Sequence, residues 1–276
     1  MPEPDTASTR PRFRFAVKDG MVAAGATWTE KFTIVKELGY DGIELSSPNS
    51  YDPDEIAAAH AATGLPVHGV VNSIHWQTRL SDPDPAVRAR SRAGLETAVR
   101  DAKRFGGSSV LLVPGVVDQN ASQQQVHDRS IAEIRAVLPL AAELGIHILI
   151  ENVWNGFCYD HGGDAHQSAD QFAAYIDAID SPWVGMYFDL GNHRKYGDVE
   201  AWVRTLGRRI VKCDVKDWGV ESGWAKIGEG DVNWPAVRTA LHDIGFTGWM
   251  TAEVGGGDRD RLAEILANMR ATLQPE

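Results

Sequence analysis

Short apolar, β-branched runs alternate with longer Ala-rich stretches along the chain. The runs are FRFAVK (13–18), GIELS (42–46), PVHGVV (66–71), SVLLVPG (109–115), IHILIEN (146–152), VGMYFDL (184–190), RIVKCDVKD (209–217) and GWMTAEV (248–254). Runs of this length and composition read as strands. Amphipathic helical stretches fall between them, over 29–39, 53–64, 85–106, 128–145, 168–179, 198–207, 233–245 and 260–269. Six of these close on glycine, at Gly39, Gly64, Gly106, Gly145, Gly207 and Gly245, the expected stop before the next strand.

Eight strands alternating with eight helices predict an α/β fold of one kind, a single (β/α)8 TIM barrel. An open doubly wound sheet would place a glycine-rich phosphate loop after its first strand. Here that position reads AVKDGMVAAG, without GxGxxG spacing. No low-complexity linker divides the chain, so residues 13–276 are expected to form one barrel domain behind a Pro-rich polar arm at 1–12.

Four of the later runs end in an acid: Glu151 in HILIENVWN, Asp189 in VGMYFDLGN, Asp214 in RIVKCDVKD and Glu253 in GWMTAEVGG. Strand ends of a barrel converge on its catalytic mouth. Side chains alternate along a strand, so His147, Leu149 and Glu151 share one face, as do Lys212, Asp214 and Lys216, and Trp249, Thr251 and Glu253. All four acids can therefore point into one mouth, as a metal site, an acid/base site, or both. Lys18, Glu44, His75, Trp154, Asn155, Asn192 and Lys216 close other runs or follow them, and are expected to bind substrate there. Trp76 and Trp154, both in strand-end loops, can offer aromatic faces to a ligand. His68 and His147, inside strands, read as core histidines, and the glycine-rich HGGDAH (161–166) reads as a loop without a metal.

Composition narrows the function. A net charge of −11 and a pI near 5.3 exclude a general nucleic-acid footprint, which needs a basic face. No run reaches membrane-spanning length, and the N-terminus lacks the apolar core of a signal peptide. Cys158 and Cys213 form neither a disulfide framework nor a zinc motif. These features fit a cytoplasmic protein with reduced thiols.

The segments ENVWNGF, YFDLGNHRKYG, VKCDVKD, KIGEGDVNWPAV and GFTGWMTAEV resemble the xylose-isomerase-like barrels of sugar isomerases and epimerases, the ketose 3-epimerases among them. The resemblance covers nearly the whole chain. It implies one divalent metal ion, Mn2+ foremost with Mg2+ or Co2+ as alternatives, held by Glu151, Asp189, Asp214 and Glu253. It implies acid/base roles for Glu151 and Glu253, a small-molecule sugar substrate, and a homo-oligomer, dimer or tetramer. The chain departs from the family at Asp214, where the usual H-x-K-D carries histidine, and at Asn192, where some members carry a substrate-contacting histidine. Aspartate makes the site all-oxygen, which favours hard ions over zinc. Two alternatives stay open: Asp214 salt-bridged to a lysine beside a three-ligand metal, and no metal at all.

The implied activity is metal-dependent isomerisation or epimerisation of a ketose or keto-sugar. A proton is removed next to a carbonyl, and an enediolate follows. A 3-keto-glycoside lyase or hydratase would use the same first step, and a non-catalytic sugar-binding barrel would use none. Repair endonucleases of the related fold need a histidine-rich three-zinc cluster that these strand ends lack.

Overall fold

Eight parallel strands close on themselves in the computed structural model, which describes residues 13–275. The arm expected over 1–12 lies outside the described residues. The strands are β1 (Arg14–Lys18), β2 (Gly42–Ser47), β3 (Val67–Asn72), β4 (Ser109–Leu112), β5 (His147–Glu151), β6 (Val184–Asp189), β7 (Ile210–Val215) and, after a small hairpin, β10 (Trp249–Ala252). Each pairs with its sequence neighbour, and β1 closes the ring on β10 with Ala16 opposite Thr251. Eight helices cover the outside: α1 (Trp28–Leu38), α2 (Pro53–Thr63), α3 (Pro85–Arg104), α4 (Gln123–Leu144), α5 (Asp170–Ile179), α6 (Val199–Leu206), α7 (Trp234–Asp243) and α8 (Arg259–Leu273). The TIM barrel read from the hydrophobic pattern is the fold observed. No helix among the described residues is long and apolar enough to cross a membrane.

Local chemistry explains the boundaries. All six helix-closing glycines have positive φ, which side chains with a Cβ rarely adopt. Helix α4 starts at Gln123, ahead of the expected residue 128, because Ser122 and Gln125 form a reciprocal capping box. The run expected over 209–217 divides after Val215, and Asp217–Gly219 (β8) pairs antiparallel with Gly223–Ala225 (β9).

Asp217 causes that division. Its fully buried carboxylate accepts hydrogen bonds from the N–H groups of Trp218, Gly228 and Val232 and from the Trp234 indole, at 2.8–3.2 Å. It thereby pins the KIGEGDVNW segment beneath the hairpin.

The main apolar core lies between barrel and helices, whereas the barrel interior is partly polar. Leu111, Leu149 and Tyr187 pack at its centre. Beside them runs a hydrogen-bonded chain: Lys212 Nζ to His68 Nδ1 (3.0 Å), His68 Nε2 to Thr251 Oγ1 (3.2 Å), Thr251 to the Tyr187 hydroxyl (2.7 Å), and Tyr187 to Glu44 (3.1 Å). His68 is thus a satisfied core histidine. His147 is half-buried at the opposite end of the barrel from the acids, against Trp183.

Candidate active site

The alternation of side chains in β5, β6 and β7 turns Glu151, Asp189 and Asp214 into the barrel, and Glu253 joins them from the residue after β10. One carboxylate oxygen from each lies within 4.8 Å of the others. Asp189 and Asp214 are fully buried, Glu151 nearly so, and Glu253 is the most accessible.

Asp189 is held on both sides. Its Oδ1 accepts from the N–H groups of Gly191 (2.8 Å) and Asn192 (2.7 Å), while Asn152 bonds both its backbone N–H and its carbonyl. Asp214 Oδ1 is buried without any hydrogen bond, and Asp189 Oδ2 meets only the Lys216 ammonium, at 3.2 Å. An unpaired buried acceptor is costly, and its presence in a carboxylate ring marks a place for a cation.

Two lysines enter the ring. Lys18, the last residue of β1, reaches Asp214 Oδ2 at 2.8 Å and Glu253 Oε1 at 2.7 Å. Lys216, following β7, lies 2.6 Å from Glu253 Oε2 and 3.2 Å from Asp189 Oδ2. Burial opposes the charge on Lys18, but Asp214 and Glu253 outweigh it and hold its pKa above the usual range. Burial likewise pushes Glu151 and Asp214 well up, Glu151 with reinforcement from Glu253. On Glu253 burial is overcome by Lys18 and Lys216, which pull it far below the ordinary carboxylate range.

Oxygen atoms this close can share one ion at ordinary Mn2+, Mg2+ or Ca2+ distances, and the all-oxygen set suits hard cations. With all four carboxylates ionised, as a bound cation would hold them, the two ammonium groups leave a charge of −2, which one divalent ion cancels. The residues therefore fit a divalent ion.

Above the ring opens a cavity of about 460 Å3, with Glu151, Glu253 and Lys216 on its floor. His75, Trp154 and Asn192 stand on its walls, with Trp76 and Trp224 at the rim. His75 Nδ1 accepts the Val113 N–H (3.3 Å), so its proton sits on Nε2. Burial drives its pKa down to about 3, so the ring is neutral at pH 7. Trp154 donates its indole N–H to the Asn192 carbonyl and stacks on Trp224 at 5.0 Å and 26°.

Of the residues expected to bind substrate, His75, Trp154, Asn192 and Lys216 therefore share one cavity. Three lie off its wall. Lys18 is spent on Asp214 and Glu253. Glu44 is fully buried lower in the barrel, beside Tyr187. Asn155 points away to the Gly115 carbonyl and braces its own loop through Phe157 N–H. Sequence reasoning missed Trp224, whose signal was an aromatic after the Ser-Gly of a hairpin turn. It also missed Asn72 and Ser73 on the wall, and Asn152, the clamp on Asp189.

The family model described as xylose isomerase-like TIM barrel matches residues 32–272. The chain belongs to this family. Within the xylose isomerase-like barrels, it is 25% identical over 262 residues to the L-ribulose-5-phosphate 3-epimerase UlaE of Salmonella heidelberg, covering 90% of this chain and 89% of that one. Its fold matches the 3-keto-D-glucoside 4-epimerase YcjR from E. coli with a TM-score of 0.78 at 17% identity, covering 94% and 100% of the two chains. The IolI protein with a bound zinc atom matches with a TM-score of 0.79 at 13% identity, covering 95% and 98%.

Proposed function

We propose that this xylose isomerase-like barrel is a divalent-metal-dependent isomerase or epimerase acting on a ketose or keto-sugar. The observation that carries this reading is Glu151 and Glu253 on the floor of one cavity, each contributing an oxygen to the same four-carboxylate cluster. The naming of similar barrels as sugar epimerases supports it.

Glu151, Asp189, Asp214 and Glu253 would hold the ion. Once bound, it supplies the positive charge that favours ionisation next to a sugar carbonyl. Proton transfer falls to the protein. Glu151 and Glu253 leave β5 and β10, so they reach a bound sugar from different sides. One removes the proton beside the carbonyl and the other returns it. Neutral His75 presents Nε2–H to a sugar oxygen, and the Trp154–Trp224 face suits the C–H side of a ring.

A second reading has support from the cavity's shape. A further cavity of about 610 Å3 shares Lys216, Trp224 and Glu253 with the first and extends to Lys226 and Arg261. That is room for a second ring, and it favours a 3-keto-glycoside. With such a substrate, the same deprotonation can end in release of the attached group.

The test is hydrogen exchange in D2O on a panel of ketoses and 3-keto-glycosides, with Mn2+ and after chelation. Deuterium gained at the carbon beside the carbonyl, lost on chelation, is expected. Inversion or group release then separates the two readings. A manganese-loaded protein that exchanges no hydrogen on any member of the panel would point to a sugar-binding barrel instead.

A further inference from the structure

Asp214 is buried with Lys18 as its ion-pair partner. The Lys18 side chain is 11% exposed and that of Asp214 is 0% exposed. A buried ammonium or carboxylate without a partner is strongly destabilising. Their 2.8 Å contact pairs two such groups. Lys18 also takes Glu253 Oε1 at 2.7 Å. Of the two Asp214 oxygens one is thus committed to Lys18, and the other, Oδ1, is buried with no hydrogen-bond partner and lies in the carboxylate ring.

We infer that Lys18 is a specificity-determining counter-ion. By cancelling the charge of Asp214 it sets the ring at −2 and matches it to a divalent rather than a trivalent hard cation. It also limits Asp214 to a single free oxygen. This rests on the reading of the ring as a cation site. Lys216 does not substitute for Lys18, because its contacts are with Asp189 and Glu253.

The charge count makes the inference testable. Asp214→Asn leaves the ring at −1, and Lys18→Met leaves it at −3. The double variant returns to −2 and removes both buried charges together, so it keeps its fold even where one single variant does not. The experiment is calorimetric titration of the chelator-stripped full chain with Mn2+ and with La3+, thermal melts confirming that each variant is folded.

Asp214→Asn is expected to weaken Mn2+ binding by about tenfold or more, and the double variant to recover to within about threefold of wild type. Lys18→Met is expected to shift the preference from Mn2+ toward La3+ by about tenfold or more, a ratio measured within one protein. A double variant as weak as Asp214→Asn would overturn the inference, since Asp214 would then be needed as a ligand whatever its partner. An unchanged La3+ to Mn2+ ratio in Lys18→Met would overturn it as well. If wild type binds neither ion, the cation-site reading itself falls and takes the counter-ion role with it. If wild type binds Mn2+ and either result above is obtained, only the counter-ion role falls.

Discussion

Lys18 and Asp214 stand 196 positions apart in the chain and meet in a 2.8 Å ion pair. Closure of the barrel brings them together, since β1 and β7 are separated in the ring only by β10. The same lysine reaches Glu253, so a single ammonium ties two members of the carboxylate ring.

Glu151 and Glu253 are assigned the proton transfers. Glu151→Gln and Glu253→Gln keep the size of each side chain and remove its basicity. Each is expected to lower kcat for hydrogen exchange by about 10²–10⁴-fold. Rates of exchange in D2O, measured at matched metal occupancy, check this. A variant that loses its ion but exchanges normally once saturated with Mn2+ would remove that residue from the proton-transfer step.

Trp224 is 53% exposed, so its loss should leave the fold intact. If its face supports a sugar ring, Trp224→Ala forfeits about 1 kcal/mol of aromatic contact, or roughly a fivefold rise in KM with kcat little changed. Steady-state kinetics on the best substrate of the panel decide the point. An unaltered KM would place the sugar away from the hairpin.

Asp217 is the neighbour of Lys216 but has a different job. Asp217→Ala leaves four donors, three of them buried, without their acceptor. Each orphaned donor costs about 1–3 kcal/mol before relaxation. A loss of several kcal/mol in urea unfolding is expected. A variant within about 0.5 kcal/mol of wild type, the range of ordinary surface substitutions, would deny Asp217 its structural role.

Acid should destabilise the protein through its buried histidines. His193 lies among Tyr159, Phe172, Tyr196 and Trp202, and burial lowers its pKa to about 3. The unfolded chain takes up its proton near pH 6.5 while the folded one refuses it until about pH 3, so stability present above pH 6.5 is lost as pH falls toward 3. At pH 5 the loss from one such histidine is about 2 kcal/mol. His193→Phe removes the titrating group, and its unfolding free energy should fall less between pH 8 and pH 5 than that of wild type. An equal fall in both proteins would assign the acid sensitivity to other groups.

Much of this was legible in the sequence because it is local. Strand and helix periods and glycines at helix ends act over a few residues, and they specify the barrel. The four acids could be read because alternation along a strand and the polarity of a barrel place strand-end side chains in one mouth. Whatever depends on the reach of a side chain across the barrel could not be read. Glu44 and Lys18 both read as strand-end residues, yet β2 runs on to Ser47 and leaves Glu44 buried beneath the site, and closure spends Lys18 on Asp214 and Glu253. The hairpin carrying Trp224 could not be read because it starts at Asp217, the last residue of an apolar run, and Asp217 is set by bonds to residues up to 17 positions later. The sequence by itself determined the fold and which acids share its mouth, since both follow from near-neighbour periodicity. Only the tertiary structure decided how each charge is paired, because a buried charge takes its partner from whatever closure of the barrel brings within reach.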